Sequence, residues 1–219
     1  MTTATDRHPR SYIERNNRRT RWFHSGVYAI SLLLLGTGLW LLGGWEGRPS
    51  PLARLTGVAD TDMHTWLGWA LTALTAFGVI LGWRAAITLV RGSVRFERGD
   101  LRWFLRWPLA LFTGRFARHV GHFDPGQRLM NFALVGLLAA LIGSGVGLAT
   151  NPIGPTFVWL DRVHRWATYL FIPVILGHVI VAAGVLPGYR GVWRAMHLGG
   201  RLPIEVARRI WPDWTSRHG

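Results

Sequence analysis

Nine histidines are the residues of this chain best suited to chemistry, and four of them stand in or at the edge of long charge-free runs: His24, His64, His164 and His178. The other five, His8, His119, His122, His197 and His218, fall in polar stretches and read as surface residues, with His197 a candidate for lining a pocket. His164 and His178 are fourteen positions apart, which in a helix is a rise of ~21 Å and a rotation about 40° short of four full turns. Both imidazoles therefore point to nearly the same face, at two depths. His64 matches the depth of His164, and His24 that of His178, so two His–His pairs result, each joining the last run to an earlier one. Two neutral imidazoles on opposite sides of a flat macrocycle are the axial ligands of a low-spin haem b, which leaves no open position for substrate and serves electron transfer. A buried ionisable residue such as His178 is costly in an apolar segment and functional by default. With no cysteine in the chain, disulfides, iron–sulfur clusters, thiolate zinc sites and covalent c-type haem are excluded.

The elements that must position these histidines are four apolar runs: residues 25–44, 63–83, 129–150 and 166–187. Each has about 20 residues, enough as a helix to span ~30 Å of hydrocarbon. The first lies behind a polar leader and has no small-residue cleavage pattern, so it reads as a span and not as a cleaved signal. The chain has 25 basic residues, all arginine, against 11 acidic ones. Only Arg48, Arg54, Arg162 and Arg165 fall in the first and third connections; every other arginine is in the termini or in residues 84–128. By the positive-inside rule both termini and the 84–128 connection are cytoplasmic, and the net charge of +14 needs no nucleic acid to explain it. Within that connection, Leu101–Thr113 mixes Trp, Phe, Leu and Arg as a segment lying in the membrane interface does. Neither outer connection is long enough for a catalytic domain, and no internal repeat stands out. Glycines 36, 38, 68, 143, 145, 147, 177 and 184 are placed to let helices approach a bulky ring.

Several motifs carry a family resemblance, from about Arg21 to Trp214. They are R-W-F-H ending at His24, M-H-T-W-L-G from Met63 to Gly68, the His164/His178 pair, D-L-R-W-F from Asp100, and G-H-F-D-P-G-Q-R-L-M-N-F from Gly121. R-A-M-H-L-G-G-R from Arg194 and W-P-D-W from Trp211 complete the set. The chain resembles the cytochrome b (gamma) subunit of membrane-bound formate dehydrogenase, in the superfamily of cytochrome b subunits of nickel–iron hydrogenase and thiosulfate reductase. The resemblance implies two haems b, with His24/His178 as ligands on the cytoplasmic side and His64/His164 on the outer side. It also implies a quinone site formed by Asp124, Gly126, Gln127 and His178. This chain has Asp124-Pro125-Gly126-Gln127 where that family commonly has Asn-Ala-Gly-Gln. The acid loses an amide donor to a quinone carbonyl but gains a group able to relay a proton. The same tetrapeptide also suits a turn and N-cap opening the third span.

The expected fold is thus an all-α integral membrane protein: a four-transmembrane-helix bundle binding two b-type haems over residues 25–187, with cytoplasmic tails at 1–24 and 188–219. The expected role is the dihaem subunit of a formate dehydrogenase-like respiratory complex in the cytoplasmic membrane. Its electrons come from an outer-face iron–sulfur subunit, fed by a molybdenum or tungsten dehydrogenase subunit, and go to quinone. Primary substrate chemistry belongs to another chain. Alternatives are the same subunit in a hydrogenase, thiosulfate reductase or other molybdoenzyme, and a haem-free membrane anchor. A ferric-reductase-like or b561-like cytochrome is disfavoured, since those place a His pair on each of two helices and only the last span here has one.

Overall fold

The computed structural model describes residues 12–43 and 48–218; His8, Arg7, Arg10 and the end of the first apolar run at Gly44 lie outside the described residues. The chain enters through a short strand β1 (Tyr12–Glu14) and a long helix α1 (Arg18–Leu42). A one-turn helix α2 (Pro51–Thr56) leads into α3 (Asp60–Leu81), followed by α4 (Trp83–Ser93) and α5 (Asp100–Thr113). The remaining long helices are α6 (Pro125–Thr150) and α7 (Pro155–Ala182). Two 3-10 turns, strand β2 (Arg201–Pro203) and helices α8 (Ile204–Ile210) and α9 (Pro212–His218) complete the chain.

Helices α1, α3, α6 and α7 are long and apolar enough to cross a membrane, and at most 17% of any one apolar window is buried inside the protein. Side chains such as Trp66, Phe77, Ile80, Leu81, Phe132 and Leu176 face outward. In water such surfaces would associate; in hydrocarbon they are the solvated face. The chain is a multi-pass membrane protein. Each helix reaches beyond its charge-free run: α1 begins at Arg18, α3 at Asp60, α6 at Pro125 and α7 at Pro155. His24, His64 and His164 therefore lie inside helices and do not open them.

The chain divides into two compact units. One comprises the described residues 22–43, 48–88 and 133–175 and contains most of the four long helices. Here α2 is fastened to the start of α3: Ser50 donates from its Oγ to Asp60 Oδ1 at 2.5 Å and caps Ala53 N–H at 3.0 Å. The helices meet closely at glycines, Gly26 against Leu74, Gly78 against Phe23 and Gly147 against Leu160.

The other unit comprises the described residues 12–21, 89–132 and 176–218. Its core is Ile13, Tyr189, Ala195, Leu202, Ala207, Ile210, Trp211 and Trp214. The antiparallel pairing of β1 with β2, Ile13 opposite Leu202, is an addition to the all-helical expectation, and β2, α8 and α9 contribute Leu202, Ala207, Ile210, Trp211 and Trp214 to this core. Arg15 fixes this ribbon. Its guanidinium lies 4.6 Å from the Trp211 ring and 4.3 Å from the Trp214 ring, and it donates to the His122 carbonyl at 2.6 Å. Burial pulls the Arg15 pKa down to about 10, so it stays charged at neutral pH. Helix α5 shows Leu101, Leu105, Leu109 and Phe112 outward while Trp103 and Ala110 are buried, the one-sided pattern expected of an interfacial helix.

A buried ion pair ties α6 to α5. Arg128 Nη2 lies 2.5 Å from Asp100 Oδ1, both side chains almost fully enclosed, and Arg128 Nη1 donates to the Arg95 carbonyl at 3.0 Å. Removing one member leaves the other charge buried without its partner, which costs about 3–5 kcal/mol. Asp100→Ala is expected to lower the thermal unfolding midpoint sharply in detergent, and the double variant Asp100→Ala/Arg128→Met to recover much of the loss.

His122 supplies a pH dependence. Partial burial, with the nearby Arg15 and His218 charges, pulls its pKa down from 6.5 to about 4. Because the folded value is the lower one, stability is complete above about pH 6.5 and drains away as pH falls toward 4. The unfolding midpoint is expected to drop between about pH 7 and pH 5, and the drop to shrink in His122→Gln.

Candidate functional site

In the helical unit His64 of α3 and His164 of α7 are brought together, ring centroids 6.2 Å apart and ring planes at 85°. Each imidazole is held from behind by a hydroxyl on a neighbouring helix. His64 Nδ1 is 2.8 Å from Thr37 Oγ1 on α1, and His164 Nδ1 is 2.9 Å from Ser144 Oγ on α6. The hydroxyl hydrogens are already committed to helix carbonyls, Thr37 to Leu33 at 3.0 Å and Ser144 to Ala140 at 2.6 Å. A hydroxyl has one hydrogen, so toward histidine each oxygen accepts, and each Nδ1 carries the proton. The Nε2 lone pairs remain for a metal.

Glycines make room for the rings. A Cβ at Gly38 would lie 3.1 Å from His64 Cε1, and one at Gly145 would lie 3.4 Å from His164 Cε1. At Gly68, one turn along α3 from His64, a Cβ would meet nothing within 4 Å, so there is open space on the His64 face. The two half-sites share a local sequence, Gly36-Thr37-Gly38 and Gly143-Ser144-Gly145. This small repeat was within reach of the sequence: a glycine–hydroxyl–glycine tripeptide occurs on the helix that supports each histidine.

Two imidazoles bound through Nε2 to one metal from opposite sides have centroids about 6.3 Å apart, because each metal–nitrogen bond is about 2 Å. The observed 6.2 Å fits. Edge-to-face packing of bare rings spans the same range but does not account for both Nδ1 atoms being bonded to hydroxyls of neighbouring helices. Among the described residues no three His, Cys, Asp or Glu side chains lie together, so a metal held here has to bring its remaining ligands with it, as a tetrapyrrole does. The residues fit a haem with two histidine ligands. Of the arginines near this end, Arg165 is engaged by Asp161 at 2.8 Å.

His24 belongs to this same unit, on α1, its ring tilted against Tyr28 at 5.7 Å. His178 belongs to the other unit, on α7 beyond Pro173.

In that second unit Asp124 caps α6, its Oδ1 accepting the Gln127 N–H at 2.9 Å, as the turn reading of Asp-Pro-Gly-Gln requires. Burial pushes the Asp124 carboxyl above its ordinary range, against the backbone N–H groups of Gln127 and Gly126 and the neighbouring His119 and Arg128. Gly126 has to be glycine, since a Cβ there would lie 2.7 Å from the Trp103 ring. Trp211 Nε1–H donates to Gln127 Oε1 at 3.0 Å, which leaves the Gln127 Nε2 hydrogens for another acceptor. Asp124, Gly126 and Gln127 thus share one helix start. His178 follows Gly177, where a Cβ would lie 3.8 Å from Met130 Cε, less than one turn beyond Gln127 on α6.

Two donors escape sequence reasoning. Asn131 Nδ2, one turn along α6 from Gln127, and Trp103 Nε1 are buried without a hydrogen-bond partner. His119 corrects the surface reading: it is buried, and its Nε2–H donates to the Ile210 carbonyl at 2.9 Å. Its Nδ1 is buried and unpartnered. His197 and His218 are exposed, while His122 is open to solvent on one side and packed against Phe123 and Trp214 on others.

A family model described as prokaryotic cytochrome b561 matches residues 15–199. No curated protein matches the chain. The match overturns the inference drawn from histidine distribution against a b561-type cytochrome; the number of histidines per helix does not exclude this chain from it.

The tightness at the two glycines predicts an asymmetry. At 3.1 Å an added methyl presses the His64 ring aside, whereas 3.4 Å is close to ordinary contact. Gly38→Ala is expected to shift the reduction potential or lower the haem content of the purified protein, and Gly145→Ala to behave nearly as wild type in the same titration.

Proposed function

Because the chain belongs to the prokaryotic cytochrome b561 family and is a membrane b-type cytochrome of electron transfer, we propose that it is the dihaem subunit of a formate dehydrogenase-like respiratory complex. In this reading it accepts electrons from an iron–sulfur subunit at the outer face and delivers them to quinone near the cytoplasmic face. The observation that carries it is the His64/His164 pair at 6.2 Å with both Nδ1–H groups anchored. When bound, haem supplies a one-electron couple. His64 and His164 hold one such group; His24 and His178 hold the second, on the strength of their matched sequence depths and the family resemblance.

The chain's own residues then do three things. The apolar faces of the four spans exclude water from the histidine pair, so the imidazoles stay neutral ligands. At the start of α6 the Gln127 Nε2 hydrogens are donors for a quinone carbonyl, and Asn131 Nδ2 is a buried donor one turn on. Asp124, protonated more readily than an ordinary carboxyl because it is buried, is placed to hand on a proton taken from the cytoplasm. The concentration of arginine at the termini and in residues 84–128 supports that orientation. The catalytic dehydrogenase is a separate chain carrying molybdenum or tungsten.

A dithionite-reduced minus oxidised optical spectrum, with haem quantified per chain, tests the reading. Two haems b per chain are expected, falling to one in His64→Ala and to one in His24→Ala. A colourless protein from haem-replete cells would leave a membrane anchor. For the quinone arm, Gln127→Ala is expected to slow oxidation of the reduced cytochrome by a quinone analogue at least tenfold with the haem spectrum intact; an unchanged rate overturns that site.

A further inference from the structure

We propose that Thr37 and Ser144 are positioning residues that fix the tautomer and the rotation of the His64 and His164 rings, and thereby tune the reduction potential of the group bound between them. The inference rests on the haem reading above and adds what the hydroxyls do.

An imidazole that uses Nε2 as a ligand has Nδ1–H left over, and in a membrane interior an unsatisfied N–H is expensive. The usual partner would be a carboxylate or a backbone carbonyl. Here the nearest partner of each histidine is an alcohol, Thr37 Oγ1 at 2.8 Å and Ser144 Oγ at 2.9 Å, with the Leu141 backbone also bonded to His164, and both alcohols are buried, at 6% and 4% exposure. Each alcohol is oriented by its own helix, donating to the carbonyl four residues back. The chain of bonds runs from carbonyl to hydroxyl to imidazole, and reversing it would leave Nδ1 without a hydrogen and the ring as the wrong tautomer for a ligand.

The strength of the acceptor matters as well as its presence. A carboxylate draws the Nδ1 proton strongly and pushes the ring toward imidazolate, a better donor that favours the ferric state. A neutral hydroxyl whose oxygen is shared with a carbonyl bond draws it weakly. Two such acceptors, one behind each ligand, keep both rings neutral and hold the couple's potential between that of a carboxylate-backed ligand and that of an unbonded one. The same bonds lock the rings at 85° to each other. Near-perpendicular axial imidazole planes give a low-spin ferric centre its most anisotropic EPR spectrum.

The test is a spectroelectrochemical titration with low-temperature EPR on purified wild type, Thr37→Val, Thr37→Ser, Ser144→Ala and Ser144→Thr. Wild type is expected to show two haem components. Thr37→Val and Ser144→Ala are expected to raise the potential of the same single component and to reduce its EPR anisotropy, while Thr37→Ser and Ser144→Thr leave both near wild type. Loss of that one haem in the Val or Ala variant, with retention in its hydroxyl-bearing counterpart, also supports the proposal. Wild-type potentials and EPR in Thr37→Val and Ser144→Ala overturn it, as does a hydroxyl-bearing variant no better than its apolar counterpart, or shifts falling on different components. A wild-type protein without haem overturns the cytochrome reading itself and this inference with it.

Discussion

The hydrogen bond between a helix-anchored hydroxyl and an imidazole N–H is the interaction on which the helical unit is organised. In hydrocarbon a histidine is tolerated only when both ring nitrogens have a use. One can bind a metal; the other needs an acceptor small enough to sit in a helix–helix seam. Thr37 and Ser144 meet that need, the second together with the Leu141 backbone at His164, and the glycine beside each of them lets the ring come within contact distance. A larger acceptor, such as a carboxylate, would bring a charge that must itself be paired. The glycine–hydroxyl–glycine tripeptide is thus the smallest local answer to three demands: an acceptor, its orientation by the backbone, and space for a ring.

The other unit solves a different problem, that of holding together irregular chain at a membrane boundary with few long helices of its own. It uses polar and aromatic anchors. The Arg128–Asp100 pair, enclosed at 2.5 Å, locks the first turns of α6 and α5, while Arg15 packed on Trp211 and Trp214 closes the β1–β2 ribbon over a core rich in tryptophan. Arginine suits both tasks because its planar cation stacks on rings and donates in several directions at once. The same preference explains why the basic residues of this chain are all arginine only in part: those in anchors have a geometric reason, and those on exposed positions have none in the structure.

How much of this was legible in the sequence follows from which physical property each feature expresses. The four spans were, because hydrocarbon contact demands uncharged residues and leaves runs that any reader can find. Their true ends were not. Helix α7 begins at Pro155, well before the run that starts at Trp166, because its first turns carry Asp161, Arg162 and Arg165; hydropathy marks the part in lipid, and the helix continues past it. The pairing of His64 with His164 followed from depth and helical phase. Their hydroxyl partners did not, since Thr and Ser are common in membrane helices and only the facing ring distinguishes Thr37 and Ser144. His119 looked like surface because its neighbours are polar, and its burial comes from Ile210, ninety-one positions away. No local pattern encodes that.

The start of α6 shows how a structural and a chemical role can occupy the same residues. Asp124 satisfies a helix-end donor, Gly126 yields to Trp103, and Gln127 is held by Trp211, so each has a reason to be there that involves no ligand. What those reasons do not cover is the donors left over. A buried N–H without a partner costs about 1–3 kcal/mol, and Asn131 Nδ2 and Trp103 Nε1 both stand in that state, on or against the same helix. Packing alone would favour replacing Asn131 by leucine and Trp103 by phenylalanine. In the function proposed above, a quinone carbonyl entering from the lipid is an acceptor of the right chemistry for them.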